Sequence, residues 1–298
     1  MSEAALAKFF EIAAAGRTNT PAEWYEYLEA FHAELPYANE IFTLLRRFSG
    51  ETSYAVLAKA VVSTGATRIL DAGCGDGNLE EELMPQLPPD AQVVGIDCSE
   101  AEITISRNRF LAEPRVRFDV GDVRTMPYAD ESFDCVTAHQ FLNLFPTIKP
   151  ILDGIGRALR AGGDFIFVAN RGWRSDQTAS WQLLNQAALA VIKEMHPAFV
   201  WPLMGDMRIY REEEISQIFE ESGGWDLDTF SIQPFNTSAL MAPYQVAAIY
   251  NRLYLFATVP EKKRVLEAVE KRAQELAVDG LVQVDLPFRL MRIKRLQF

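Results

Sequence analysis

The chain has 298 residues, 49% apolar and 23% charged, with a formal net charge of -12 and a pI near 4.9. That is ordinary globular usage, enough for one large domain or two small ones, and it excludes a disordered or collagen-like chain. An acidic protein repels phosphate backbones, so nucleic acid is not an expected partner. The greasiest stretch, residues 245–259, is broken by Asn251 and Arg252, so no membrane is expected either. The start, Met1-Ser2-Glu3, lacks the basic segment of a signal peptide. Cys74, Cys98 and Cys135 show no CxxC spacing, which argues against a disulfide framework or a metal site and fits a cytoplasmic location.

The front of the chain reads as helices. An Ala-rich stretch stops at Gly16. Thr20-Pro21-Ala22-Glu23 then supplies an N-cap, a Pro at the first helical position and a Glu three residues after the cap. Further helices are expected over residues 38–48 and 53–62. Residues 1–62 are read as a helical addition, and residues 63–298 as the main domain. From Thr67 short β-rich runs alternate with helical ones: residues 68–71, 92–97, 116–120, 133–137 and 164–168. Such alternation implies an α/β fold with a parallel sheet. Two later strands are expected at 225–233 and 281–294, with helical insertions at about 172–211 and 236–280.

The sharpest signal is Asp71-Ala72-Gly73-Cys74-Gly75-Asp76-Gly77, between the first strand and a helix. Glycines there permit positive φ and a close backbone approach by a ligand. The helix start offers free N–H groups to an anion. Asp97 ends the second strand twenty residues past Gly77, where an acid can accept from ribose hydroxyls. Asp119-Val120-Gly121-Asp122-Val123 follows the third strand, Phe133-Asp134-Cys135-Val136 opens the fourth, and Arg160-Ala161-Gly162-Gly163 reads as the turn before the fifth.

Together these motifs resemble the class I S-adenosylmethionine (SAM) dependent methyltransferases, in particular the ubiquinone/menaquinone-type small-molecule group. The resemblance covers residues 67–170 and implies SAM as cofactor. It also implies a Rossmann-like, seven-stranded, mostly parallel sheet in the order 3-2-1-4-5-7-6, with helices on both faces and the helical additions forming a lid. By the same resemblance, Asp71, Gly73 and Gly75 line the methionine part of SAM and Asp97 takes the ribose. Cys98 packs on the adenine, Asp122 and Val123 meet its edge, and Ala138 and His139 face the sulfonium. Two positions depart from the group's pattern: Asn143-Leu144 stands where many relatives have a His pair, and Arg160-Ala161 where many have Lys-Pro.

SAM carries its own electrophilic methyl, so no catalytic triad is required. His139 is the candidate general base, with a pocket-shaping role as the alternative. His32 and His196 have no spaced partner, and no metal site is expected. Aromatic residues concentrate in the additions, where they can form a local core or wall an acceptor pocket. Tyr25, Tyr37, Trp173 and Phe199 are the substrate-binding candidates. The expected activity is methyl transfer to a small, largely apolar or aromatic molecule, in secondary metabolism. The rival reading is a SAM-binding enzyme of the same fold that catalyses a cyclisation or rearrangement. The oligomeric state is left open, a homodimer being one option.

Overall fold

The computed structural model describes residues 2–34, 40–171, 180–201, 205–253 and 259–297. The strands are β1 (Arg68–Ala72), β2 (Gln92–Asp97), β3 (Val116–Val120), β4 (Phe133–His139), β5 (Leu159–Asn170), β6 (Trp225–Met241) and β7 (Val282–Arg295). The helices are α1 (Ser2–Ala14), α2 (Pro21–Glu34), α3 (Glu40–Leu44), α4 (Ser53–Val62), α5 (Asn78–Leu83), α6 (Glu100–Arg109), α7 (Lys149–Ala158), α8 (Ser180–Met195), α9 (Glu212–Ser222), α10 (Pro243–Leu253) and α11 (Val259–Leu276). The strands form one seven-stranded sheet in the expected order, β3-β2-β1-β4-β5-β7-β6. Pairing is parallel from β3 through β5, and β7 runs antiparallel to β5.

The chain divides into two compact units. One comprises Arg46–Gly172, Met204–Phe235 and Pro287–Phe298. In it, Val136 and Ala138 of β4 and Phe165 and Phe167 of β5 join a core with Ile151 and Ile155 of α7 and Ile215 and Phe219 of α9. The alternate residue of β4, His139, turns to the opposite face, where α4 lies.

The other unit comprises Met1–Leu45, Trp173–Leu203 and Asn236–Leu286. It has an aromatic core of its own. Phe9 stacks on Tyr27 with ring centroids 4.0 Å apart, and Trp181 lies 5.3 Å from Tyr250. The Thr20 capping box forms as read: Glu23 N–H donates to Thr20 Oγ1, and Thr20 N–H donates back to Glu23 Oε2.

Four expectations need correction. The helix expected to run to residue 48 ends at Leu44, because Arg47 N–H donates to Glu51 O and closes a turn at Gly50, where φ is +89°. The first addition stops at Leu45 rather than 62, since α4 buries Tyr54, Val56, Leu57 and Val61 and groups with the sheet. Arg160-Ala161-Gly162-Gly163 is no turn. It is an irregularity inside β5, where the pairing steps from Phe133↔Leu159 to Cys135↔Asp164. β6 continues through Pro234 to Met241: it is an edge strand of the sheet, where a Pro is tolerated.

Candidate active site

β1 delivers the chain into a loop with three left-handed glycines, Gly73, Gly75 and Gly77, at φ of +77°, +54° and +86°. A side chain on Gly73 would collide with the Phe141 ring, since its Cβ would sit 2.2 Å from Cδ2. The loop is tied to β2. Gly73 and Cys74 N–H both donate to Ile96 O, at 2.8 and 3.1 Å. Asp97 completes the tie: Oδ2 accepts from Gly75 N–H at 3.0 Å and Oδ1 from Ser99 N–H at 2.9 Å. Its carboxylate remains half-buried, with acceptor capacity to spare.

Behind the loop lies a feature with no counterpart in the sequence reading. Asp71 is 2% exposed and Glu80, in the first turn of α5, is fully buried. No donor of the described residues reaches Asp71 Oδ1 or either Glu80 oxygen. Burial raises the pKa of both carboxyls, mutual repulsion adds to it for Asp71, and Glu80 is pushed up to about 8. The two carboxyls therefore hold at least one proton between them at neutral pH. Nothing in the sequence marks Glu80, because an acid in a first helical turn reads as a favourable dipole partner on a surface.

The remaining candidates sit at the carboxyl ends of neighbouring strands. Cys98 is exposed beside Asp97. Asp122 caps a short 3-10 turn and is held by Arg124, 2.6 Å away. Burial pushes Asp122 upward, but the Arg124 bonds outweigh it and leave its pKa lowered. Val123 and Ala138 are buried. His139 Nε2 lies 2.8 Å from Ser53 Oγ, and its ring stacks on Tyr54 at 3.9 Å. Burial drives its pKa down to about 3, so the imidazole is neutral at physiological pH. Ser53 and Tyr54 were not singled out from sequence, since both read as ordinary positions of an amphipathic helix.

These residues fit SAM. Three glycines bare the loop backbone, Asp71 Oδ1 is an orphaned acceptor beside it, and Asp97 presents a carboxylate at the end of β2. Of the substrate candidates, Tyr25 is half-buried on α2. Phe199 is 3% exposed, with its ring 6.2 Å from Phe10. Tyr37 and Trp173 lie outside the described residues.

A family described as a methyltransferase domain matches residues 63–223, more than half of the chain. The demethylmenaquinone methyltransferase of Symbiobacterium thermophilum is 35% identical over 101 residues, 33% of this chain and 40% of that one. The trans-aconitate 2-methyltransferase of Variovorax paradoxus is 34% identical over 122 residues, 40% of this chain and 46% of that one. The chain thus spans less than half the length of these two curated relatives. Among solved structures, the [4+2]-cyclase SpnF shares the fold with a TM-score of 0.54 and 14% identity, over 94% of this chain and 98% of that one. Among the described residues no helix is long and apolar enough to cross a membrane. The chain belongs to the methyltransferase-domain family, with SAM as its cofactor.

Proposed function

We propose that the chain transfers the methyl group of SAM to a small, largely apolar or aromatic acceptor, in the cytoplasm and in secondary metabolism. The observation that carries this reading is the clasp at Asp97, which fixes the Gly75 loop and still offers its carboxylate outward. SAM, when bound, supplies a methyl already activated on a sulfonium. The chain's own task is then positioning, which can contribute on the order of 7–11 kcal/mol. Asp71, Gly73 and Gly75 hold the methionine part, Asp97 the ribose, and Cys98, Asp122 and Val123 the adenine. His139 is better suited to orienting than to proton removal. A neutral imidazole with a pKa of about 3 is a weak base, and Ser53 already occupies its Nε2. We assign choice of acceptor to the additions that carry Tyr25, Tyr37, Trp173 and Phe199.

The test is incubation with SAM and a panel of phenols, quinols and carboxylic acids, following S-adenosylhomocysteine (SAH) and methylated product by mass spectrometry. Equimolar appearance of both is expected. An acceptor consumed without SAH would instead support the non-methylating reading. In the same assay His139→Gln should slow turnover by less than about tenfold, below the usual general-base contribution. A larger loss with unchanged SAH affinity would restore His139 as the base.

A further inference from the structure

Where β4 and β5 end, the sheet-centred unit holds an excess of buried hydrogen-bond donors. β7 carries four basic residues in its second half, Arg289, Arg292, Lys294 and Arg295. Three of them are accounted for: Arg292 Nε and Lys294 Nζ meet the two oxygens of Asp164 at 2.7 and 2.9 Å, and Arg295 Nη1 donates to Leu159 O. Arg289 is not. It is 5% exposed, and neither its Nε nor its Nη1 makes a hydrogen bond with any described residue. Among the described residues its ion-pair partner is Glu212, whose Oε2 stands 3.6 Å from Nε, too far for a hydrogen bond, on a side chain that is 54% exposed.

A second guanidinium adjoins it. Arg289 pairs with Ala169, and Arg171 N–H donates to Pro287 O, so Arg171 and Arg289 are diagonal neighbours on one face of the sheet. Arg171 Nε is buried and also lacks a partner among the described residues. Burial lowers the pKa of Arg289, and Arg171 lowers it further, while Glu212 acts the other way. Two neighbouring guanidiniums, with buried nitrogens that make no hydrogen bond among the described residues, are costly unless an anion completes them. A planar carboxylate matches the guanidinium fork.

We propose that the acceptor carries a carboxylate, and that Arg289 and Arg171 bind it. This deepens the methyl-transfer reading and rests on it for the word acceptor; the anion site itself stands on these residues. The acceptor is then a small apolar or aromatic acid, held by its charged end while its nucleophile faces the end of β4. Glu212 borders the site and competes weakly for Arg289. Arg289 and Arg171 act in specificity and orientation.

The test is calorimetric titration of the whole protein with benzoate, octanoate and trans-aconitate, each against its own methyl ester, with and without SAH. At least one acid should bind about tenfold or more tightly than its ester. Arg289→Gln and Arg171→Gln should each weaken that acid by about ten- to a hundredfold, the loss expected for a charge-assisted bond, with SAH affinity unchanged. Glu212→Gln should tighten it. The proposal is overturned if no acid outbinds its ester, or if both arginine variants bind acids as wild type does. Should Arg289→Gln not fold, Arg171→Gln and Glu212→Gln decide alone. If Glu212→Gln lowers the melting temperature as Arg289→Gln does and leaves acid binding untouched, Arg289 is only an ion-pair partner. A wild-type protein that ignores SAH but prefers acids to esters would count against methyl transfer and for the anion site.

Discussion

Asp97 does two jobs with one carboxylate, and the two separate experimentally. It closes the loop by accepting from Gly75 and Ser99, and we assign it the ribose of SAM as well. Asp97→Ala should weaken SAH binding by about ten- to a hundredfold, as expected for one charge-assisted bond of roughly 1.5–3 kcal/mol. Unchanged affinity in a folded variant, read by calorimetry, would remove Asp97 from the site. Asp97 was legible from sequence because strand length and loop spacing fix where β2 ends. Glu80 was not, because its burial is a product of tertiary packing. Its consequence is a pH dependence. The folded chain keeps a proton on Glu80 up to about pH 8, whereas an unfolded glutamate releases it near 4.5. Stability is therefore full below the unfolded value and declines as pH rises through the folded one. Urea midpoints should fall between pH 6 and pH 9, and Glu80→Gln should flatten that fall by one proton's share, Asp71 supplying the rest. A wild type equally stable at both pH values would mean the pair is ionised in the fold.

At the scale of elements, the strands of the first half matched their sequence signals because each is bounded by glycine, proline or polar turn residues. β5 and β6 outran theirs. Gly162-Gly163 reads as a turn, yet the pairing shift against β4 absorbs it, and the strand expected at 225–233 runs on through Pro234, which an edge strand tolerates. Residues 53–62 were read correctly, although the reason α4 starts there lies partly outside it. Thr52 Oγ1 accepts from Ala55 N–H at 3.0 Å and donates to Glu82 Oε1 at 3.1 Å. That cap fixes the turn from which Ser53 and Tyr54 reach His139. Thr52→Ala should cost about 0.5–2 kcal/mol. In thermal melts that is a fall of a few degrees, at roughly 2–4 °C per kcal/mol. Thr52→Ser should keep both bonds and melt close to wild type. If the alanine variant melts as wild type does, the cap contributes nothing and α4 is set by packing alone.

At the scale of the whole molecule, the additions combine, and that was not legible in the sequence. Three stretches far apart in the chain, Met1–Leu45, Trp173–Leu203 and Asn236–Leu286, form a single unit with its own core. Within it, Phe9 stacks on Tyr27, Tyr250 Oη donates to Asn185 Oδ1 at 2.8 Å, and His196 meets Glu261 at 2.6 Å. A unit with its own core can open on its own, and hydrogen exchange reads such openings region by region. The residues assigned to SAM all belong to the other unit. A ligand that binds only the folded form stabilises what it binds by about 2.7 kcal/mol at a hundred times its Kd. SAH at that concentration should therefore slow exchange in β1, β2 and β4 by about a hundredfold, for amides that exchange through opening of that unit. Amides of α1, α2 and α11 should exchange at their ligand-free rates. Equal protection of α1 and β1 would show that the chain opens as one cooperative body. Acceptor choice and cofactor binding would then share one stability, and a substitution in the aromatic core of the additions would weaken SAH binding as well.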